Sequence, residues 1–146
     1  MRIREVFVKY VRSQIPISEG QKFKDSRQVF EAFREMFLEP VEVFRVLLLD
    51  SKNHFLHFED VSRGSLSTSV AHPREVFWAA VYHRAAGIIC LHNHPSGDPA
   101  PSREDRECTE RLYKVSKILG IRLLDHIVIG EKDYFSFADA GRLAEA

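Results

Sequence analysis

The sequence GIICL, at residues 87–91, is a short and uninterrupted apolar run. Runs of this length and composition are typical of a strand in the buried middle of a sheet. Residues 121–130, IRLLDHIVIG, form a second apolar run and predict another buried strand. We therefore expect helices packed on a central sheet, and the fold class is α/β or α+β.

The rest of the chain alternates between strand and helix patterns. Residues 3–11 alternate like a strand, and the polar residues 12–25 predict a loop. Strands are also predicted over 42–50 and 53–60, as a hairpin around the turn at 51–53, over 64–70 and over 133–137, before a short C-terminal helix. Amphipathic helices are predicted over 26–38, capped by Ser26, and from Pro73 to about Ala86, with Val76, Phe77, Ala80 and Val81 inward.

A third helix is predicted to begin within the segment HNHPSGDPAPSRED at residues 92–105. Residues 95–101 contain three prolines and one glycine, which force a loop, and Gly120 is a good helix stop. The helix should therefore run from Ser102 to Leu119. Its inward stripe contains Cys108, Leu112, Val115 and Leu119, and Asp105 extends that stripe by one turn.

His92, His94 and Asp105 are candidate metal ligands. The two histidines end a buried strand, and alternate side chains of a strand share a face, so both imidazoles could meet one ion. Asp105 points inward, where an unpaired carboxylate would cost several kcal/mol. A divalent ion at the end of the strand would satisfy all three side chains. Three ligands with a water as the fourth are the minimum for metal-assisted hydrolysis.

Each part of this segment also has a purely structural interpretation. Ser102 and Asp105 form S-x-x-D, which is close to a helix capping box. The pair of histidines occurs often enough by chance that it is weak on its own. The letters HNH also name a nuclease family. The three residues of that domain are widely separated, so the tripeptide is no evidence for a nuclease.

Composition excludes several classes of protein. No apolar run approaches the roughly 20 residues of a membrane span, and the charged N-terminus lacks the features of a signal peptide, so we expect a cytoplasmic protein. Lys plus Arg equals Asp plus Glu at 21 each, so the composition lacks the basic excess of most nucleic-acid binders. Cys90 and Cys108 are expected to be buried small hydrophobes without a disulfide.

At this point the chain resembles the RadC family, a branch of the JAB/MPN superfamily. The metal signature of that family is a distant Glu, then H-x-H, ten residues and Asp. His92 and His94 occupy the H-x-H positions, and ten residues separate His94 from Asp105. Ser102 stands three positions before the Asp, and Glu42 occupies the position of the Glu in VEVFRVLLLDSKN. The similarity covers about residues 40–138.

The resemblance implies a JAB/MPN-like, cytidine-deaminase-like fold with a mixed central sheet flanked by helices. It also implies that His92, His94 and Asp105 bind Zn²⁺ and that Glu42 is the general base. Ser102 would donate a hydrogen bond to the oxyanion, and the reaction would be amide or isopeptide hydrolysis of a peptide or protein. Glu59 and Glu75 are alternative bases. Asp125 and His126 are expected to support the site rather than bind metal, while four other histidines are expected at the surface or at helix caps: His54, His57, His72 and His83.

One departure from the family keeps a second function open. Full-length RadC proteins usually carry a DNA-binding helix-hairpin-helix segment ahead of the metal domain, and residues 1–40 instead predict a strand and helix arm packed on a metal-binding domain at 41–146. The chain thus resembles short RadC-like proteins that mobile elements often encode. The alternative is a DNA repair or accessory protein with a structural or unused metal site, although charge does not favour DNA contact. The N-terminal strand could also pair with a second copy in a homodimer.

Overall fold

A computed structural model describes residues 17–64 and 71–143 of the chain. The strands are β1 (Glu42–Leu49), β2 (Phe55–Gly64), β3 (Gly87–Asn93), β4 (Arg122–Ile129) and β5 (Tyr134–Ser136). The helices are α1 (Ser26–Phe33), α2 (Pro73–Tyr82) and α3 (Arg103–Leu119), and a 3₁₀ segment over Arg34–Leu38 follows α1. None of the helices in the described ranges is long and apolar enough to cross a membrane.

The five strands form one mixed sheet in the order β2-β1-β3-β4-β5. Strand β1 is antiparallel to both β2 and β3, whereas β3 and β4 are parallel and are joined through α3. Strand β5 returns antiparallel to β4. The expected α/β class with a mixed central sheet flanked by helices is confirmed.

Both faces of the sheet are covered, which explains the apolar runs. Alternate residues of β1 face opposite sides: Val46 and Leu48 pack in the core that includes α2 and α3, while Val43 and Leu47 pack against α1. Every residue of β3 is buried. A strand with helices on both sides has no polar face, so its sequence reads as a continuous apolar run.

The N-terminal half follows the prediction with two corrections. The hairpin is confirmed as β1 and β2. Helix α1 is capped by Asp25 rather than Ser26, because the Asp25 carboxylate accepts the Gln28 N–H at 2.9 Å. The α-helix also ends at Phe33, and residues 34–38 continue as 3₁₀. The strand predicted over 3–11, and all of the strand predicted over 64–70 except Gly64, lie outside the described residues.

Four further expectations about the helices were wrong in detail. Helix α2 ends at Tyr82, because Arg84 takes a left-handed conformation with φ of 53°. Val81 is 58% exposed instead of inward. Leu119 is 47% exposed, because residues 117–120 all lie outside the core and the buried face of α3 uses Thr109 and Ser116 instead. Residues 137–141 form turns rather than a C-terminal helix.

Candidate metal centre

His92 and His94 meet at the end of β3. His92 is 1% exposed and lies opposite Phe44 of β1 and Val128 of β4. The His94 N–H donates to the Ile129 carbonyl at 2.9 Å, so the strand pairing continues past the last residue of β3. Both side chains therefore lie on one face, and their Nε2 atoms are 3.1 Å apart. The shared face predicted from the sequence is confirmed.

Asp105 completes a close group of three. It lies in the first turn of α3 and is 5% exposed. Its Oδ1 is 3.1 Å from His92 Nε2, and its Oδ2 is 3.1 Å from His94 Nε2. Two ligands held about 2.0–2.1 Å from a tetrahedral metal ion lie about 3.3 Å apart. The two imidazole nitrogens and the carboxylate oxygens of Asp105 thus have spacings close to those around one divalent ion.

Glu42 lies beside this group. It is the first residue of β1, and its Oε1 is 3.7 Å from His92 Nε2. Burial raises the pKa of Glu42, although the neighbouring His92 and His94 oppose that effect. The ligand atoms of Glu42, His92, His94 and Asp105 all lie within 4.8 Å of one another, so these residues could hold a metal ion.

Hydrogen bonds outside this group hold both histidines in one tautomer. His94 Nδ1 donates to the Asp98 carbonyl at 2.8 Å, which leaves the lone pair on Nε2. The Thr109 hydroxyl donates to the Asp105 carbonyl at 2.7 Å, so His126 Nδ1 must donate to Thr109 Oγ1 at 2.6 Å. His126 Nε2 then accepts from His92 Nδ1 at 2.8 Å. When their rings are neutral, His92 and His94 consequently both present an unprotonated Nε2 to the site.

Neighbouring groups stabilise the negative charge of Asp105. Burial alone would raise its pKa, but contacts with His92 and His94 and the Ser102 N–H outweigh burial, and the pKa falls far below its usual range. The pKa of His94 is correspondingly raised, because its bonds to Asp105 and to the Asp98 carbonyl outweigh its own burial. The carboxylate thus favours the protonated imidazole, and a bound cation would take the place of that proton.

Ser102 forms the capping box that the sequence suggested. Its hydroxyl oxygen accepts the Asp105 N–H at 3.0 Å, and its own N–H donates to Asp105 Oδ2 at 2.8 Å. The cap therefore orients the carboxylate that faces the histidines. None of the hydrogen bonds among the described residues uses the Ser102 hydroxyl proton, which remains available to an additional acceptor.

Asn93 is a site residue that the sequence reasoning treated only as part of the loop. Its side chain is fully buried on the face of β3 opposite His92, where it accepts from the Val43 N–H at 2.8 Å and donates to the Val41 carbonyl at 3.0 Å. These two residues flank Glu42. The sequence did contain a signal for this role: Asn93 lies on a strand predicted to be buried, and a buried amide needs hydrogen-bond partners.

Other polar residues are used elsewhere. Asp125 accepts from the Ser136 hydroxyl at 2.6 Å and so ties β4 to β5, and His126 supports His92, as expected for residues that do not bind the ion. Of the alternative bases, the Glu75 side chain is 56% exposed at the start of α2, and Glu59 belongs to a separate cluster.

His72 caps α2, His83 stands at its C-cap, and His54 bonds to Asp50. Both cysteines are free and buried, as expected.

Comparison with known proteins connects this geometry to a family. The family model for the RadC-like JAB domain matches residues 23–142. A UPF0758 protein of Trichlorobacter lovleyi is 52% identical over 124 residues, which cover 84% of this chain and 54% of that protein. A UPF0758 protein of Syntrophotalea carbinolica is 46% identical over 129 residues, covering 88% and 57%. The chain spans about half the length of these curated relatives. The five-stranded mixed sheet agrees with a JAB/MPN-like fold, and the chain belongs to the RadC-like JAB domain family.

Proposed function

We propose that this chain is a zinc-dependent hydrolase that cleaves an amide or isopeptide bond. The observation that carries the proposal is the close approach of three side chains: His92 Nε2 lies 3.1 Å from His94 Nε2 and 3.1 Å from Asp105 Oδ1, and His94 Nε2 lies 3.1 Å from Asp105 Oδ2. Two imidazoles and one carboxylate are a donor set that favours zinc over calcium or magnesium. Three protein ligands are typical of catalytic zinc, because structural sites usually have four.

In this proposal the protein residues have separate roles. His92 and His94 bind through Nε2 and Asp105 through its carboxylate. A bound zinc ion would lower the pKa of water towards neutrality and polarise the substrate carbonyl. Glu42 is the general base: it accepts the proton of the attacking water and passes it to the leaving amine. Its burial supports that role, because a carboxyl group with a raised pKa holds a transferred proton better.

Ser102 stabilises the oxyanion. Its oxygen is already an acceptor in the capping box, and its hydroxyl proton can be directed to a carbonyl oxygen of the substrate. A hydrogen-bond donor of this kind stabilises the transition state by about 2.7–4 kcal/mol. The cap and the oxyanion role are compatible, because one uses a lone pair and the other uses the proton.

The expected substrate is a peptide or protein, and the expected compartment is the cytoplasm. Basic and acidic residues balance at 21 each, which gives no support to a DNA-contacting function. Residues 41–146 would form the metal-binding domain and residues 1–40 an arm packed on it.

Glu42→Gln tests the proposal, with Glu75→Gln as the matched control. Both replace a carboxylate by its amide, but Glu75 lies in the exposed first turn of α2. Zinc content is measured by elemental analysis, and cleavage is measured with a peptide library and a Gly–Lys isopeptide probe. Glu42→Gln should keep the wild-type zinc content and lose about 10²–10⁴-fold in rate, whereas Glu75→Gln should match the wild type. Wild-type cleavage by Glu42→Gln would refute the role of Glu42, and wild-type protein that binds no zinc would refute the proposal as a whole.

A further inference from the structure

A second cluster of metal-ligand side chains lies between β2 and the end of α2. It consists of His57, Glu59 and His83, whose ligand atoms are all within 4.8 Å of one another. His83 Nε2 is 2.7 Å from Glu59 Oε1, and His57 Nε2 is 4.0 Å from the same oxygen. The two imidazole rings have centroids 5.0 Å apart. The cluster thus offers two imidazole nitrogens around one carboxylate.

The fold brings these residues together from two distant segments. His57 and Glu59 are two positions apart on β2 and lie opposite Leu48 and Val46, which face the core containing α2 and α3. Both side chains therefore point to the α2 side of the sheet. His83 follows the last residue of α2 and is held by the bond from its N–H to the Ala79 carbonyl at 3.1 Å.

This cluster is separate from the site at His92. The first site is built on β3 and the adjoining end of β1, whereas His57 and Glu59 lie on β2, with β1 between β2 and β3. Adjacent strands are about 4.8 Å apart, so two strand spacings separate β2 from β3. One ion cannot be shared by both groups.

The spacing and surroundings of the cluster suit a metal ion. The distances of 2.7 and 4.0 Å bracket the separation of about 3.3 Å between ligands of a tetrahedral zinc ion. The side chains of His57, Glu59 and His83 are 31%, 20% and 10% exposed, so an ion can enter from solvent and keep a water ligand.

We propose that His57, Glu59 and His83 form a second zinc site, which ties the outer strand β2 to the C-terminal end of α2. Calcium and magnesium are disfavoured because they prefer oxygen ligands. With three protein ligands on a partly exposed surface, the site binds zinc more weakly than the group at His92. A bound ion would link β2 to α2 and so stabilise this corner of the domain, while the three protein ligands leave one position for water. The site does not depend on hydrolysis at the first site.

Titration of the full chain with zinc chloride tests the proposal. Calorimetry should detect two binding events in the wild type and one in His57→Ala/His83→Ala, in which the weaker event is lost. His92→Ala/His94→Ala should lose the tighter event and keep the weaker one. Glu59→Gln preserves the shape of the cluster and should weaken the second event by about tenfold or more. His54→Ala, just before β2 and outside both clusters, is the matched control and should retain both events.

The possible results separate this proposal from the one for the first site. A single event in the wild type that survives in His57→Ala/His83→Ala would overturn the second site and leave the first intact. A weaker event with the same affinity in Glu59→Gln as in the wild type would also overturn it. Loss of only the tight event in His92→Ala/His94→Ala would support both sites. Circular dichroism of each variant checks that the fold is retained.

Discussion

The side-chain amide of Asn93 is hydrogen-bonded to the backbone on both sides of Glu42. Its Oδ1 accepts from the Val43 N–H and its Nδ2 donates to the Val41 carbonyl. Asn93 is also the residue between the two histidines of the candidate metal centre. One buried amide thus fixes the start of β1, and with it the carboxylate, relative to the end of β3. The position of the proposed base is set from the opposite face of the sheet.

Replacing Asn93 by Ala should therefore affect both stability and catalysis. The variant removes a hydrogen-bond partner from two backbone groups in a buried region, at a cost of about 1–3 kcal/mol in the free energy of unfolding. The start of β1 loosens, so hydrolysis should fall while zinc content stays at the wild-type level. Denaturant unfolding, elemental analysis and peptide cleavage measure the three quantities. Gln21→Ala, which removes an exposed side-chain amide outside the site, is the control and should change none of them. An Asn93→Ala variant with wild-type stability and rate would contradict the positioning role.

Thr109→Val should weaken zinc binding without touching a ligand. The hydroxyl of Thr109 sets the tautomer of His126, which in turn accepts from His92 Nδ1. Valine has nearly the same shape but leaves His126 Nδ1 without its acceptor. Zinc affinity should fall by about 10–100-fold, as measured by competition with a coloured chelator. Thr109→Ser restores the hydroxyl and should recover most of the affinity. Equal affinities for the valine and threonine proteins would show that this chain of hydrogen bonds does not orient His92.

His126 should make the stability of the metal-free protein depend on pH. Burial, reinforced by the nearby His92, lowers its pKa well below the ordinary value of 6.5. The unfolded chain therefore binds a proton at this site more readily than the folded chain does. The contribution of His126 to the unfolding free energy should be fully present above pH 6.5 and should fall as the pH drops below it, by up to about 1.4 kcal/mol per pH unit.

Comparison of variants isolates this contribution from the other histidines. Unfolding is followed between about pH 5 and pH 8, a range that spans the ordinary pKa of histidine. In His126→Asn, the unfolding free energy should depend less steeply on pH than in the wild type. His72→Asn replaces an exposed helix cap with another good capping residue and should keep the full slope. A wild-type slope in His126→Asn would mean that His126 does not stay neutral in the folded protein.

Removing the metal should destabilise the protein through the first site. An ion that binds only the folded chain stabilises it by about 4 kcal/mol when present at 1,000 times its dissociation constant. A strong chelator should therefore lower the thermal midpoint of the wild type. His92→Ala should lose the tightly bound zinc, and the chelator should have much less effect on it. Unchanged tight zinc in His92→Ala would rule out the proposed ligand set.

Local patterns were sufficient to predict much of the fold and part of the site. The apolar runs predicted β3 and β4, and Ser102 and Gly120 predicted the limits of α3. Strand alternation at His92 and His94 and the inward helical stripe that includes Asp105 predicted that these three donors point towards one another, because strand and helix periodicity each determine which side chains share a face. Glu42 was assigned only through resemblance to a family, since a carboxylate at the start of a strand is usually exposed.

The sequence by itself determined the elements, their buried faces and the types of ligand near His92. The tertiary structure decided which distant residues meet those ligands. Asn93 bonds on both sides of Glu42 only because β1 and β3 pair in one register, and Thr109 reaches His126 only because α3 packs across β4. The cluster at His57 likewise depends on where α2 ends against β2. Strand register and helix docking minimise exposed apolar surface over the whole domain, so no local segment of the sequence encodes them alone.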